Sequence, residues 1–120
     1  MTLYNAAMFS FERSERDGVI VLTLAGSLDA ATAAGLKREV VLLTDGGKNR
    51  VAVDLGKLTL IDSTGVGVLI SLFKRARAAR GAVHFAALGG QPKEIFRLLR
   101  LDRSLDLHPT LDDAIAKLKA

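Results

Sequence analysis

The stretch of this sequence best suited to chemistry is residues 60–69, LIDSTGVGVL, where one carboxylate, two hydroxyls and two glycines lie between apolar residues. Asp62, Ser63 and Thr64 follow a short apolar strand pattern at residues 50–55, and an amphipathic helix pattern follows them over residues 65–80. Oxygen-bearing side chains at such a position can cap the helix, act as a nucleophile or accept a phosphate. The pattern alone leaves these three hypotheses open.

Catalysis is the weakest of the three hypotheses. A serine nucleophile needs a base, but His84 falls in a predicted strand, His108 precedes a proline, and no Gly-x-Ser-x-Gly elbow exists. The sequence also lacks a Gly-x-x-x-x-Gly-Lys-Ser/Thr phosphate loop. Without cysteine and with only two histidines, it predicts neither a metal site nor a cofactor. We therefore expect a protein that is not an enzyme.

One face of the predicted helix suits a binding role. If the helix starts near Ser63, its sheet-facing side consists of Val66, Leu69, Phe73 and Ala76. The exposed row on the other side consists of Ser63, Gly67, Ser71 and Lys74. Small side chains let a partner approach closely, and a helix N-terminus favours negative charge by about 0.3–1 kcal/mol. Phosphate on Ser63 would be tolerated by the fold, yet would add about −1.5 to −2 charge beside Asp62 and so oppose binding.

The elements before this cluster begin with a hairpin. Residues 9–13, FSFER, alternate like a half-buried edge strand, and Asp17-Gly18 predicts a tight turn into a central strand at residues 19–26. A helix follows, capped by Asp29 or Ser27 and stopped by Gly46-Gly47. Its predicted buried positions are Ala33, Leu36, Val40 and Leu43.

Strands and helices alternate after the cluster. A strand at residues 82–88 precedes a helix opened by Pro92, which we expect to bury Ile95, Phe96 and Leu99. A brief strand at residues 105–108 precedes a last helix at residues 111–119, with a capping box formed by Thr110 and Asp113. The order predicts an α/β fold: a small mixed sheet, with an N-terminal hairpin and then parallel strands, about five strands and four helices in all.

Length and composition predict one globular domain. The chain has 120 residues, of which 49% are hydrophobic and 25% charged. We place the domain at residues 9–119 and expect residues 1–8 to be a loose N-terminal extension. No apolar run reaches the roughly 18 residues of a membrane helix, and MTLYNAAM lacks the features of a secretory signal. The expected location is cytoplasmic, without membrane contact.

The net charge of +4 comes entirely from the second half, where residues 61–120 hold ten basic and six acidic side chains against seven of each in residues 1–60. A basic half suits nucleic acid, an anionic surface or an acidic protein, or is simply solvated. Aromatic residues make up only 5% of the chain, and no nucleic-acid motif is present. We therefore expect no nucleic-acid partner.

Four segments in the right order resemble the STAS domain family, in particular the single-domain anti-sigma factor antagonists of the SpoIIAA/RsbV type. They are GSLDAAT after the second strand, VDLGKLTLIDSTGVGVL, LFKRARAARG, and LRLDRSLDLHPTLDDAI. The resemblance implies that Ser63, directly after the motif aspartate, is the phosphorylation site, with Thr64 as the alternative. It also implies that Asp29 lies near this serine. Together with the exposed row on the helix, which coincides with the docking face that the resemblance implies, this predicts the partner-binding residues Asp29, Asp62, Ser63, Thr64, Gly65, Gly67, Ser71 and Lys74.

The resemblance implies two partner enzymes. One is an anti-sigma factor with GHKL-type serine kinase activity, which binds the unphosphorylated form and releases its sigma factor. The other is a PP2C-type phosphatase, which reverses the modification. An alternative within the family is a non-switching adaptor subunit of a stressosome or of a phospholipid-transport ABC complex. The resemblance implies nothing about whether the chain associates with itself.

Two features of the sequence, one residue and the charge of one segment, depart from the family pattern. Arg100 stands before Leu101, where a glycine is usual; if that backbone is left-handed, arginine costs on the order of 1 kcal/mol. Residues 74–103 hold eight basic groups against only Glu94 and Asp102. The second departure predicts a partner with a more acidic surface than is usual in the family.

Overall fold

Six strands form one sheet, and their spatial order follows the chain from β1 to β6. The computed structural model describes residues 2–6 and 8–119. The strands are β1 (Thr2–Ala6), β2 (Phe9–Arg16), β3 (Val19–Leu28), β4 (Arg50–Ile61), β5 (Ala82–Ala86) and β6 (Asp106–His108). The pairs β1–β2 and β2–β3 are antiparallel, and the pairs from β3 to β6 are parallel.

Helices connect the parallel strands. They are α1 (Ala33–Asp45), α2 (Ser63–Ala78), α3 (Gly90–Leu98), α4 (Leu101–Ser104) and α5 (Leu111–Lys119). Parallel neighbours need such crossovers, so the predicted mixed α/β architecture is confirmed. The described part of the chain has one strand and one short helix beyond the predicted numbers.

The N-terminal hairpin forms as predicted. Asp17 and Gly18 have φ values of 54° and 79°, and Arg16 pairs with Val19 across the turn. Two left-handed residues in succession match the twist of antiparallel strands. Tight turn chemistry therefore fixes the register of β2 against β3.

The prediction of a loose extension is wrong for Thr2–Ala6, which form β1 and pair with Phe9–Arg13 of β2. As a result, β2 is an internal strand and not the predicted edge strand. The ring of Tyr4 stacks on that of Phe11 at a centroid distance of 5.0 Å, and this contact helps to hold β1 on the sheet. Met1 and Ala7, also assigned to the extension, lie outside the described residues.

Two hydrophobic layers enclose the sheet because successive strand residues face opposite sides. Ile20, Leu22 and Leu24 of β3 lie in the larger core, which α1, α2 and α3 cover. Val19 and Val21 face the smaller layer, which α5 covers. The predicted α1 positions Ala33, Leu36, Val40 and Leu43 are all buried.

Three local predictions about the helices have mixed outcomes. Thr110 Oγ1 accepts a hydrogen bond from Asp113 N at 3.1 Å, which confirms the cap of α5. Leu99, predicted to be buried, is 53% exposed because α3 ends at Leu98. Arg100 is left-handed, with φ 58° and ψ 27°, as the usual glycine at this position implies.

In the described residues, no helix is long and apolar enough to cross a membrane.

Candidate functional site

Asp62 is the N-cap of α2 and also joins two loops. Its backbone is extended, and Oδ1 accepts a hydrogen bond from Gly65 N at 2.9 Å. Its second oxygen, Oδ2, accepts from Ala30 N at 3.1 Å, in the loop between β3 and α1. A single carboxylate thus satisfies an orphan N–H of the helix and fixes the neighbouring loop.

The loop before α1 is held by its own hydrogen bonds. Asp29 Oδ1 accepts from Ala31 N at 3.0 Å and from Thr32 N at 3.2 Å. Thr32 Oγ1 donates to Ser27 O at 2.8 Å and accepts from Asp29 N at 3.0 Å. The prediction that Asp29 or Ser27 caps α1 is wrong, since the N-cap residue is Thr32 and its side chain makes no capping bond. Asp29 instead shapes the loop that Asp62 holds, as an Asx turn does.

Ser63 has no such structural duty. It is the first residue of α2 and is exposed. Its hydroxyl takes part in none of the side-chain hydrogen bonds formed within residues 2–6 and 8–119, whereas the capping bond belongs to Asp62. Asp62 therefore caps the helix, whereas Ser63 is an exposed residue at the helix N-terminus that contributes no capping bond.

The two glycines of the motif have different environments. A Cβ on Gly65 would lie 2.6 Å from Leu28 O and 2.9 Å from Ile61 Cγ1, whereas a Cβ on Gly67 would meet nothing within 4 Å. Gly65 is buried and Gly67 is exposed. Gly65 is therefore a packing residue that lets α2 approach the ends of β3 and β4, and its contact with a partner stays a prediction.

A groove of about 410 Å³ separates α1 from α2. Its lining residues are mostly small: Ala30, Ala33, Ala34 and Lys37 on one side, and Thr64, Gly67, Val68 and Ser71 on the other. We call it the α1–α2 groove. Three predicted site residues, Thr64, Gly67 and Ser71, meet here, while Asp29, Asp62 and Ser63 lie at the end where α2 begins. Lys74 does not belong to this groove; it lines a separate groove beside α4.

Gln91 is a positioning residue that the sequence did not reveal. Its Oε1 accepts from Ile61 N at 2.8 Å, and its Nε2 donates to Ile61 O at 2.9 Å. The side-chain amide makes the two backbone hydrogen bonds that a neighbouring strand would make, and it thereby fixes the end of β4 one residue before Asp62. The only sequence signal is an amide in the first turn of α3, next to Pro92, and nothing in that pattern names its target.

The two histidines lie away from this site. His84 belongs to β5 and lies on the same side as Ala82 and Ala86, in the layer covered by α5, whereas α2 packs on the other side of the sheet. His84 Nδ1 and His108 Nε2 are 2.6 Å apart. Ser63 therefore has no histidine base within reach, and hydrolysis by a serine–histidine pair loses its support.

Burial lowers the pKa of His84 from its ordinary value of 6.5. The positive charge of Lys117 on α5 and the partner ring of His108 lower it further, while the carboxylate of Asp106 opposes the shift. In the described chain, no group of three or more His, Cys, Asp or Glu side chains is placed to hold a metal ion. We interpret the histidine pair as a structural contact between β5 and β6.

The STAS domain family profile matches residues 10–114. The anti-sigma-B factor antagonist of Listeria monocytogenes is 34% identical over 101 residues, which cover 82% of this chain and 84% of that protein.

Solved structures show the same fold. An anti-sigma factor antagonist from Mycobacterium paratuberculosis superposes with a TM-score of 0.85 at 24% identity, covering 93% of this chain and 95% of that one. The Bacillus cell fate determinant SpoIIAA in its phosphorylated form gives a TM-score of 0.70 at 17% identity and covers 89% and 97% of the two chains. The profile match over most of the sequence, together with the Listeria relative, establishes that this chain belongs to the STAS domain family.

Proposed function

We propose that this protein is an anti-sigma factor antagonist that works by partner switching. In its unphosphorylated form it binds an anti-sigma factor with GHKL-type serine kinase activity, and the sigma factor is released. The kinase then phosphorylates Ser63, which ends the contact, and a PP2C-type phosphatase restores it. The protein performs no catalysis of its own and acts in the cytoplasm, where sigma factors work.

The observation that carries this proposal is the division of roles between Asp62 and Ser63. Because Asp62 makes the capping bond, the exposed Ser63 hydroxyl can be esterified without loss of a structural hydrogen bond. A phosphate there benefits from the α2 N-terminus, whose first turn contains no acidic residue. Phosphorylation of Ser63 therefore leaves the fold intact and changes only the surface that a partner contacts.

Binding is expected to involve the α1–α2 groove next to Ser63. Because Gly67 and Ser71 have small side chains, little projects from this surface, and a helix or backbone segment of the partner can approach it closely. Phosphate on Ser63 would add bulk and about two negative charges next to Asp62. A partner surface shaped for the unmodified serine would be repelled, and like-charge contacts of this kind cost several kcal/mol.

Named relatives support the proposal. The Listeria relative is called an anti-sigma-B factor antagonist, and a protein of the same fold, SpoIIAA, has a solved structure in a phosphorylated form.

The test begins with phosphate mapping. Wild-type protein, Ser63→Ala and Thr64→Ala would each be incubated with ATP and an extract of the source cells, and phosphorylated residues identified by mass spectrometry. We expect phosphate on Ser63 in wild type and in Thr64→Ala, and none on Ser63→Ala. Phosphate on Thr64 alone, or equal labelling of Ser63→Ala, would contradict the assignment.

Binding is tested separately with tagged wild type, Ser63→Ala and Ser63→Glu in source cells. We expect a kinase-fold anti-sigma factor to co-purify with wild type and Ser63→Ala, and at least about a hundredfold weaker binding by Ser63→Glu. Gly67→Leu, which fills the groove from an open position, should also weaken binding. Stable co-purification with a transporter ATPase subunit, unaffected by Ser63→Glu, would favour the adaptor function instead.

A further inference from the structure

Helix α2 borders a second groove, on the side that faces α4. It has a volume of about 420 Å³. Four apolar side chains form its floor: Ile70, Phe73, Leu101 and Leu105. Lys74 and Arg77 stand at its rim. We call it the α2–α4 groove.

The α2 residues of the floor and of the rim lie side by side because of the helix repeat. Ile70, Phe73, Lys74 and Arg77 are spaced i, i+3, i+4 and i+7, so they share one face of α2. Leu101 and Leu105 are buried, while Ile70 and Phe73 are only partly buried against the core. The groove is thus a shallow apolar surface continuous with the core, bordered by cations.

The rim cations are not neutralised within the protein. Neither Lys74 nor Arg77 belongs to any of the ion pairs formed in the described part of the chain. By contrast, the intervening Arg75 turns to α1, where it meets Asp45 at 2.7 Å. The Arg77 guanidinium lies over the Phe73 ring, 5.4 Å from its centroid, which holds the charge at the groove.

The surroundings increase this positive potential. Arg100 and Arg103, next to the groove on the α4 side, are exposed and likewise enter no ion pair among the described residues. One of the two acidic groups in this segment, Glu94, is already paired with Arg97. A ligand for this surface must therefore combine apolar side chains with negative charge.

We propose that the α2–α4 groove binds an acidic amphipathic helix of a partner protein, with its apolar side chains on the groove floor and its carboxylates at Lys74 and Arg77. A nucleic acid would satisfy the cations but not the apolar floor. A helix matches both, because carboxylates at i+3 or i+4 spacing can flank an apolar row.

This surface differs from the Ser63 site and does not depend on it. Ile70 lies seven residues beyond Ser63, about 10 Å along the helix axis. That distance exceeds the screening length of about 8 Å at physiological ionic strength. Helix binding in the α2–α4 groove should therefore persist when Ser63 carries a negative charge.

The test uses three synthetic peptides of about 15 residues, the length at which isolated helices begin to form. The first has leucines at i, i+4, i+7 and i+11, with glutamates beside them. The second replaces the glutamates by lysines, and the third replaces the leucines by glutamines. Each peptide is titrated into ¹⁵N-labelled protein, and amide shifts are followed by NMR.

We expect the acidic amphipathic peptide alone to shift the amides of Ile70, Phe73, Leu101 and Leu105. The double variant Lys74→Glu/Arg77→Glu should bind the acidic peptide about tenfold more weakly than wild type. A matched control, Lys48→Glu/Lys57→Glu, makes the same charge change at exposed positions outside the groove and should bind like wild type. Ser63→Glu should also bind like wild type, which separates this proposal from the switch at Ser63.

Several outcomes would overturn the proposal: no shifts at these amides, equal binding of the lysine or glutamine peptide, or equal loss in the two double variants. Shifts of the same amides by a short DNA duplex, with affinity at least equal to that of the acidic peptide, would assign the surface to nucleic acid instead.

Discussion

Replacing Gly65 and Gly67 separately by alanine should change the stability of the protein in opposite directions. Both glycines lie in α2, and alanine is favoured over glycine in a helix by about 0.8–1.0 kcal/mol. This propensity gain is nearly common to both variants. The difference between them therefore reports mainly what the new methyl group touches.

For Gly67, the new Cβ meets nothing within 4 Å, so Gly67→Ala should be more stable than wild type by about 1 kcal/mol. For Gly65, the Cβ would lie 2.6 Å from Leu28 O and 2.8 Å from Leu28 Cγ. Overpacking of this kind costs about 1–3 kcal/mol, and the upper end applies because a backbone oxygen cannot rotate away. After the propensity gain, Gly65→Ala should lose about 1–2 kcal/mol.

The assay is urea unfolding followed by far-ultraviolet circular dichroism, with the slope m checked for equality among the three proteins. Thermal midpoints should shift by about 4 °C per kcal/mol for a chain of this size. Equal stability of the two variants would refute the close packing of α2 on Leu28. Destabilisation by Gly67→Ala at unchanged m would refute the open surface at Gly67.

Three further predictions concern the cap, the left-handed residue and the histidine pair. Asp62→Ala removes the acceptor of two backbone N–H groups and should cost about 1–2 kcal/mol; an unfolding midpoint equal to wild type would disprove the capping role. Arg100→Gly relieves a left-handed arginine and should stabilise by up to about 1 kcal/mol in the same assay, whereas a loss would show that the arginine side chain makes a compensating contact. Because burial lowers the pKa of His84 below 6.5, the unfolded chain binds the proton first as the pH falls. Stability should therefore be constant above about pH 7.5 and decline towards pH 5.5, and His84→Gln should reduce that slope; an unchanged slope in the variant would exclude His84 as its source.

The elements predicted correctly from sequence are those with a strong local signal. The turn at Asp17-Gly18, the continuous apolar strand β3, the helical repeat of α2 and the Thr110 cap of α5 each depend on residues close together in the chain. Because the backbone conformations and the periodicity are local properties, no tertiary information was needed. The alternation of strands and helices then implied parallel pairing.

The elements that were missed or misplaced lack a strong signal in the sequence. Strand β1 has a short and ambiguous pattern, and it becomes a strand through pairing with β2 and the stacking of Tyr4 on Phe11. The short helix α4 follows the left-handed turn at Arg100. Neither feature has a periodic pattern long enough to predict it.

The same distinction applies to the site. Sequence by itself identified the cluster Asp62-Ser63-Thr64 and its place between a strand and a helix. It did not decide which residue caps α2, that Gly65 is buried while Gly67 is exposed, or that Gln91 binds the end of β4. The burial of Gly65 and the hydrogen bonds of Gln91 depend on contacts with residues 30 or more positions away in the chain, Leu28 and Ile61, and the carboxylate that caps α2 also holds the distant Ala30. Only the packed fold brings those atoms together, and hydrogen bonds and steric contacts act only at short range.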